Sequence, residues 1–205
     1  DNGNTAYDTC TYTRPEVQRL AKKGFELAMT RTKKLCCVDK ANVLETSRLW
    51  RETVQAMEKD YPEVTVSYEF VDAVAMRLVQ WPNTYDVLIT ENLFGDILTD
   101  EASVISGSMG LMPSASVGTE TSLFEPIHGS YPQAAGKDIA NPLATVLSAA
   151  MMFEDAFGLN EEAALIRKVV NESLEAGFVT EDLAEGVAPQ KTSAVGDWLA
   201  AKILE

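Results

Sequence analysis

The stretch that decides the fold is Asp86–Glu101, which reads DVLITENLFGDILTDE. The apolar run at its start predicts a short buried strand over residues 86–90, and the residues from about Asp96 to Ile105 predict a helix. Asp96 and Asp100 are four residues apart, so both carboxylates lie on one face of that helix. They follow the carboxyl end of the strand, where ligand sites gather in open α/β sheets. The stretch therefore predicts a strand–helix unit that carries a candidate site.

The same alternation of strand and helix extends through the first half of the chain. Apolar runs predict strands over residues 35–39 and 64–70, and periodic apolar positions predict helices over residues 15–31, 47–57 and 73–79, the second of them capped by Ser47. Such an alternation predicts an α/β fold with a parallel-rich central sheet flanked by helices.

The character of the sequence changes after residue 106. Residues 106–141 are rich in glycine and have few periodic apolar positions, which predicts a loop-rich connector. Helices are predicted again over residues 141–157, 161–176 and 193–204, the first with Asn141 as its cap and Pro142 as its first residue. We therefore expect residues 1–106 and 107–205 to form parts of two domains.

Composition narrows the class of protein. The net charge is −14, with 17 Lys and Arg against 31 Asp and Glu, so nucleic acid and anionic membrane surfaces are poor partners. The longest apolar stretch, Leu143–Phe153, is shorter than the roughly 20 residues of a membrane span. Cys10, Cys36 and Cys37 are too few and too irregular for a disulfide framework, which favours reduced thiols and a cytoplasmic location. The polar start at residues 1–4 shows no signal peptide and no initiating Met, as though it were cut from something longer.

Three more side chains, Asp72, Lys40 and Tyr12, lie next to predicted strands or helices and are candidates for metal binding or proton transfer. Asp72 opens a helix directly after a strand, and with Asp96 and Asp100 it would offer the hard oxygen ligands that Mg²⁺ or Mn²⁺ prefers. Lys40 follows a strand, and a nearby cation would lower its pKa and make it a general base. The alternatives are helix caps or dipole partners for the aspartates, a surface role for Lys40 and simple packing for Tyr12.

The two commonest nucleotide-binding fingerprints are absent from the sequence, since no G-x-G-x-x-G follows a strand and Gly136-Lys137 is followed by Asp138. A glycine-containing loop around His128 and a second segment leading to Asn141 could still bind a nucleotide through backbone amides and side chains. His128 is the one histidine of the chain, so no metal cage can be built on histidines.

Four blocks of the chain resemble the β-decarboxylating dehydrogenases, and specifically the carboxyl-terminal portion of such enzymes. The blocks keep the family's order and spacing, and NLFGDILTDE is highly specific for the superfamily. The second block, DKANVL followed by LWR, is similar to the isopropylmalate branch. The blocks are Thr9–Tyr12 with the helix that begins at Pro15, Asp39–Leu44 with Leu49–Arg51, Asn92–Ala115, and Glu125–Pro142.

The resemblance implies an activity and its components. The activity is the metal-dependent, NAD-linked oxidative decarboxylation of (2R,3S)-3-isopropylmalate to 4-methyl-2-oxopentanoate, a step of leucine biosynthesis. The enzyme is expected to be a homodimer with shared active sites, in which Lys40 and Asp72 reach the partner's site. Magnesium or manganese is expected as the metal.

The resemblance also implies residue roles. Lys40 helps to remove the proton of the C2 hydroxyl, and Tyr12 is the acid that protonates the enol after CO₂ has left. Asp72, Asp96 and Asp100 are the metal ligands, and Asp72 also faces the substrate. Asn42 and Val43 lie near the nicotinamide and the isopropyl group, and the adenosine-binding loop contains His128, Gly129, Ser130, Tyr131, Gln133, Gly136 and Asn141.

Two departures from the family pattern leave alternatives open. Tyr131 and Gln133 stand where the family has Ala and Asp, and Gln133 lacks the charge that excludes NADP. The family's arginines that bind the substrate carboxylates lie outside residues 1–205. The alternatives are a sister dehydrogenase for D-malate, tartrate, isocitrate or homoisocitrate, or a catalytically silent fragment or regulatory subunit of the same fold.

Overall fold

The computed structural model describes residues 3–205, and the chain divides into two compact units, residues 1–102 and 103–205. Asp1 and Asn2, half of the polar start noted in the sequence, lie outside the described residues. None of the helices in the described part combines the length and the apolar character that a membrane span requires.

The first unit is built on a three-stranded parallel sheet, as the alternating sequence pattern predicts. The strand order is β2-β1-β3, so the central strand pairs with both of the others. Cys36 and Cys37 are both buried on the central strand but belong to apolar clusters on opposite faces, as their adjacency requires. The strands are β1 (Lys34–Asp39), β2 (Thr65–Phe70) and β3 (Val87–Ile89).

Helices flank this sheet and begin near the predicted residues. The predicted cap of the second helix is wrong, because that helix begins at Glu45 and Ser47 lies buried within its first turn. There the Ser47 hydroxyl accepts the backbone N–H of Lys40 at 3.0 Å instead of capping its own helix. The helices are α1 (Arg14–Met29), α2 (Glu45–Met57), α3 (Val71–Gln80) and α4 (Asn92–Ser106).

The second unit contains a hairpin that the sequence pattern did not predict. Residues 106–141 were expected to be a loop-rich connector, but they include two antiparallel strands, β4 (Pro113–Val117) and β5 (Ser122–Pro126). Small residues make up most of β4, and the two large apolar residues of β5, Leu123 and Phe124, are adjacent, so the apolar alternation that identifies a strand is weak. Gly118 lies in the turn between them, where an added Cβ would come within 2.3 Å of the Thr121 carbonyl oxygen.

Three helices pack together in the second unit, and their bounds differ from the predicted ones by a few residues at most. They are α5 (Leu143–Asp155), α6 (Asn160–Glu175) and α7 (Thr192–Ile203), and Leu143, Val169, Val170, Val195 and Leu199 form their shared core. The prediction of Pro142 as the first residue of α5 is wrong, because the helix begins at Leu143 and Pro142 precedes it. The Asn141 side chain still accepts the N–H of Leu143 at 2.9 Å. Gly177 follows α6 with φ +63°, a left-handed conformation that glycine adopts readily.

Candidate active site

Two predicted site residues meet at the carboxyl edge of the parallel sheet. Lys40 directly follows β1, and Asp72 lies in the first turn of α3, which follows β2. The Lys40 ammonium donates a hydrogen bond to the Asp72 carboxylate, forming an ion pair, and lies 5.8 Å from the centre of the Phe70 ring. The hydrogen bond from Lys40 is the largest reason why the pKa of Asp72 is lowered, so this carboxylate stays ionised at neutral pH.

A buried ion pair holds the turn that carries Lys40. The carboxylate of Asp39, which is 1% exposed, accepts two hydrogen bonds from Arg51 on α2, at 2.8 and 3.0 Å. A third bond comes from the backbone N–H of Ala41 at 2.9 Å. The Arg51 guanidinium also lies 5.2 Å from the centre of the Phe70 ring. Bidentate geometry and these extra contacts fix the residue before Lys40, and therefore the direction in which Lys40 leaves the strand.

The other two aspartates lie one turn apart on α4. Asp96 and Asp100 are both exposed, and their spacing puts them on one face of that helix. Within residues 3–205, no three metal-ligating side chains come together in one place. A cation bound by Asp72, Asp96 and Asp100 together would therefore require a second copy of the chain.

Tyr12 is held by a residue that the sequence analysis did not single out. Its phenol hydroxyl donates a hydrogen bond of 2.7 Å to Glu91, which lies between β3 and α4. Its ring packs edge-on against Trp50, with the ring centres 5.7 Å apart. Burial and then the hydrogen bond to Glu91 raise the pKa of Tyr12 to about 12, so the phenol keeps its proton at neutral pH. Glu91 stands directly before the NLFGDILTDE block, and its position at a strand–helix junction was the signal available in the sequence.

The second unit contains a cavity of about 550 Å³, within the size range of ligand pockets. Five of the predicted adenosine-binding residues line it together: His128, Gly129, Ser130, Tyr131 and Asn141. Met109, Gly110, Ile139, Ala140, Glu181 and Asp182 complete the lining.

Asp182 accepts several hydrogen bonds at this cavity, although it and Glu181 lie far in sequence from the other lining residues. It accepts hydrogen bonds from Ser108, from Asn141 at 2.9 Å and from Thr180 at 2.5 Å. Burial alone would raise the pKa of Asp182, but these hydrogen bonds outweigh burial and lower it. Gly110 approaches Asn141 so closely that an added Cβ would lie 2.7 Å from its side chain. No local sequence pattern indicates these long-range contacts.

The remaining predicted site residues lie outside these two clusters. Gln133 and Gly136 are exposed and are not among the residues that line the cavity. Asn42 and Val43 are exposed in the turn after Lys40, where the N–H of Val43 donates to the Lys40 carbonyl at 2.9 Å.

Comparison with known sequences gives matches along almost the whole chain. Residues 1–199 match the sequence profile of the family described as isocitrate/isopropylmalate dehydrogenase. A 3-isopropylmalate dehydrogenase of Bacteroides fragilis (strain YCH46) is 58% identical over 199 residues, which cover 97% of this chain and 56% of that protein. One from Desulfitobacterium hafniense (strain Y51) is 51% identical over 204 residues, covering 99% and 58%. The chain thus spans little more than half the length of these curated relatives.

Solved structures of dehydrogenases are also similar to this chain, and the chain again covers little more than half of each. An isocitrate dehydrogenase from Methylococcus capsulatus is similar with a TM-score of 0.90 and 38% identity, covering 96% of this chain and 58% of that one. A β-decarboxylating dehydrogenase from Thermococcus kodakarensis is similar with a TM-score of 0.88 and 36% identity, covering 98% and 59%.

Proposed function

Because the chain belongs to the isocitrate/isopropylmalate dehydrogenase family, we propose that it carries catalytic and cofactor-binding residues for the oxidative decarboxylation of (2R,3S)-3-isopropylmalate. The product would be 4-methyl-2-oxopentanoate, in the leucine pathway of the cytoplasm. The observation that carries the proposal is the ion pair between Lys40 and Asp72 at the carboxyl edge of the parallel sheet. The relatives named for this activity, at 51% and 58% identity, support this substrate over the sister substrates.

The proposed chemistry divides between two side chains. After its ammonium has given a proton to solvent, the neutral amine of Lys40 accepts the proton of the C2 hydroxyl as the hydride leaves that carbon, and the β-carboxylate then leaves as CO₂. Tyr12 donates its phenol proton to C3 of the resulting enol, a role for which a protonated phenol is required. The raised pKa of Tyr12, about 12, keeps that proton in place at neutral pH.

The residues present suit a divalent cation and NAD. When bound, NAD accepts the hydride and the cation polarises the substrate hydroxyl and carboxylate. Asp72, Asp96 and Asp100 are the proposed ligands, because carboxylate oxygens suit Mg²⁺ or Mn²⁺ and the lowered pKa of Asp72 keeps it ionised.

The cavity of the second unit is proposed to hold the adenosine part of NAD. Gly129 leaves room for close approach to the backbone, since nothing lies within 4 Å of the position of an added Cβ, and Asn141 is held in place by Asp182. Glu181 and Asp182 both line it, and their negative charge would repel the additional phosphate of NADP, which supports NAD although Gln133 carries no charge. Residues 1–106 would then belong to the substrate and dimerisation domain, and residues 107–205 to the cofactor domain.

A homodimer with shared sites is part of the proposal. Leu93 and Ile97 are 61% and 57% exposed one turn apart on α4, and Met76 and Val79 are 62% and 66% exposed on α3. Exposed apolar side chains grouped on helices mark surfaces for association. A second copy would cover such surfaces and would bring its own Lys40 and Asp72 toward the Asp96 and Asp100 of its partner.

Two substitutions test the proposed roles in a completed enzyme, by which we mean this chain joined to the amino-terminal part of the Bacteroides fragilis relative. Lys40→Met should abolish both NADH formation and CO₂ release, since the hydroxyl proton has no acceptor. Tyr12→Phe should slow the protonation step by about 10²–10⁴ and spare substrate binding. Stopped-flow absorbance of NADH and a CO₂ assay separate the two steps, with isocitrate and D-malate as rival substrates.

Near-normal turnover in both variants would show that the roles are wrong. Faster turnover of isocitrate or D-malate than of isopropylmalate by the parent enzyme would instead assign the site to a sister activity.

A further inference from the structure

One carboxylate joins Tyr12 to the start of α4. Besides the phenol hydroxyl at 2.7 Å, the Glu91 side chain accepts the backbone N–H groups of Leu93 and Phe94, both at 3.3 Å. These are N–H groups of the first helical turn, which have no partner within the helix. Glu91 therefore caps the helix that carries Asp96 and Asp100 while it holds the phenol of Tyr12.

We propose that Glu91 is a positioning residue for Tyr12: it fixes the direction of the phenol hydroxyl and ties it to the helix that carries Asp96 and Asp100. The inference rests on the proposed function for its catalytic meaning. The Trp50 ring packs perpendicular to the phenol ring and cannot orient a hydroxyl. The backbone of Asn92, the residue after Glu91, also hydrogen-bonds the phenol and acts to lower the pKa of Tyr12, so Glu91 is the side chain that directs the hydroxyl. Tyr12 lies in a segment without helix or strand, so its backbone alone gives the side chain little direction.

The charge of Glu91 also affects how strongly the Tyr12 phenol holds its proton. In the proposed step the Tyr12 O–H bond breaks, a C–H bond forms at C3 of the enol, and the phenolate later recovers a proton from water. A carboxylate next to the phenolate opposes its accumulation, so recovery of the proton is favoured. After burial, Glu91 is the main cause of the raised pKa of Tyr12, and Cys10 is the other titratable group whose charge acts on it.

The test measures the phenol directly. In the completed enzyme, Tyr12 is replaced by difluorotyrosine, whose more acidic phenol titrates where the protein remains folded, and fluorine NMR follows its ionisation. Glu91→Gln keeps a hydrogen-bond acceptor but removes the charge, so the phenol pKa should fall by about 1. The alkaline limb of kcat for isopropylmalate should move to lower pH by the same amount. An unchanged phenol pKa in Glu91→Gln would overturn the proposal.

Two further variants separate positioning from general stability. Glu101→Gln removes the same charge from α4 itself, and it should leave the phenol pKa and the melting temperature unchanged. In the enzyme with native Tyr12, Glu91→Ala removes acceptor and charge together, so kcat should fall at least about tenfold with little change in KM, whereas Glu91→Gln retains most of kcat. Equal kcat loss in both variants would contradict an orienting hydrogen bond. If the phenol pKa responds to Glu91→Gln but the enzyme does not act on isopropylmalate, the proposed substrate is wrong and the positioning role of Glu91 remains.

Discussion

The pair of Asp39 and Arg51 is the residue-scale feature that most directly supports the active-site edge. A carboxylate that is 1% exposed is costly unless it is paired, and here it receives two bonds from the guanidinium and one from a backbone N–H. Arg51 also lies above the Tyr68 and Phe70 rings, at 5.6 and 5.2 Å from their centres. Charge pairing and cation–π contact therefore act at the same guanidinium.

Replacing Arg51 should therefore lower the free energy of unfolding substantially. Arg51→Met leaves Asp39 buried without its cation, and we expect a loss of about 3 kcal/mol or more in the free energy of unfolding. Lys22→Met is the matched control, because Lys22 forms only an exposed pair with Glu26 at 3.7 Å and should matter by less than about 0.5 kcal/mol. Urea unfolding of the completed enzyme, followed by tryptophan fluorescence, gives the comparison.

The double variant Asp39→Asn with Arg51→Met sharpens this test. It leaves no unpaired charge, so it should be more stable than Arg51→Met alone. A loss from Arg51→Met as small as that from Lys22→Met would show that the pair contributes little.

Residue-level prediction from the sequence depends on whether a role has a local signal. Lys40 directly follows β1 and Asp72 lies two residues after β2, and the parallel sheet brings such residues to one edge, where they meet. Asp182 has no such signal, because its partners Ser108 and Asn141 are 74 and 41 residues away in sequence. Contacts of that kind depend on how the helices and the hairpin pack, which no single segment encodes.

At the scale of elements, the strength of the apolar pattern separates what could be predicted from what could not. Helices α1 to α7 bury a regular stripe, and their predicted bounds are close to the observed ones, apart from an earlier start of α4 at Asn92. Strands β4 and β5 have no such stripe, and their pairing with each other stabilises them, so they were missed. The cap was predicted at Ser47 because serine is a preferred helix cap, but the helix begins two residues earlier and Ser47 lies in its first turn.

The packing of α1 against the sheet depends on a glycine. A Cβ added at Gly24 would lie 2.3 Å from a methyl group of Ile89 on β3 and 3.5 Å from Leu35 on β1. Gly24→Ala should therefore destabilise the first unit by about 1–3 kcal/mol, since helix and strand must separate. Gly196→Ala on α7 is the matched control: nothing lies within 4 Å, and alanine favours a helix, so it should stabilise by about 0.5 kcal/mol.

Urea unfolding measures the stability of both glycine variants. Hydrogen exchange of the β1 amides shows whether stability is lost where α1 packs against the sheet. If Gly24→Ala proved as stable as Gly196→Ala, the close approach of α1 to β3 would be wrong.

At the scale of the whole molecule, the net charge and the share of the relatives that the chain covers determine what activity we expect of it alone. The net charge of −14 disfavours an anionic substrate in general, so binding requires cations placed at the site. Lys40 is already paired with Asp72 there. The relatives named for this activity are longer, since the chain covers 56% and 58% of two of them.

We therefore expect residues 1–205 on their own not to turn over isopropylmalate. The substrate carries two carboxylates, and a divalent cation, three aspartates and the Lys40 ammonium leave the site about neutral, so the dianion lacks the net positive charge that would retain it. The resemblance places the arginines that supply this charge outside residues 1–205. Incubation of the isolated chain with isopropylmalate, Mg²⁺ and NAD should give no NADH absorbance, and the completed enzyme should give it under the same conditions. Robust NADH formation by the isolated chain would contradict the argument, because its substrate cations would then have to come from residues such as Arg48 or Lys33, whose charges are paired with carboxylates at the surface.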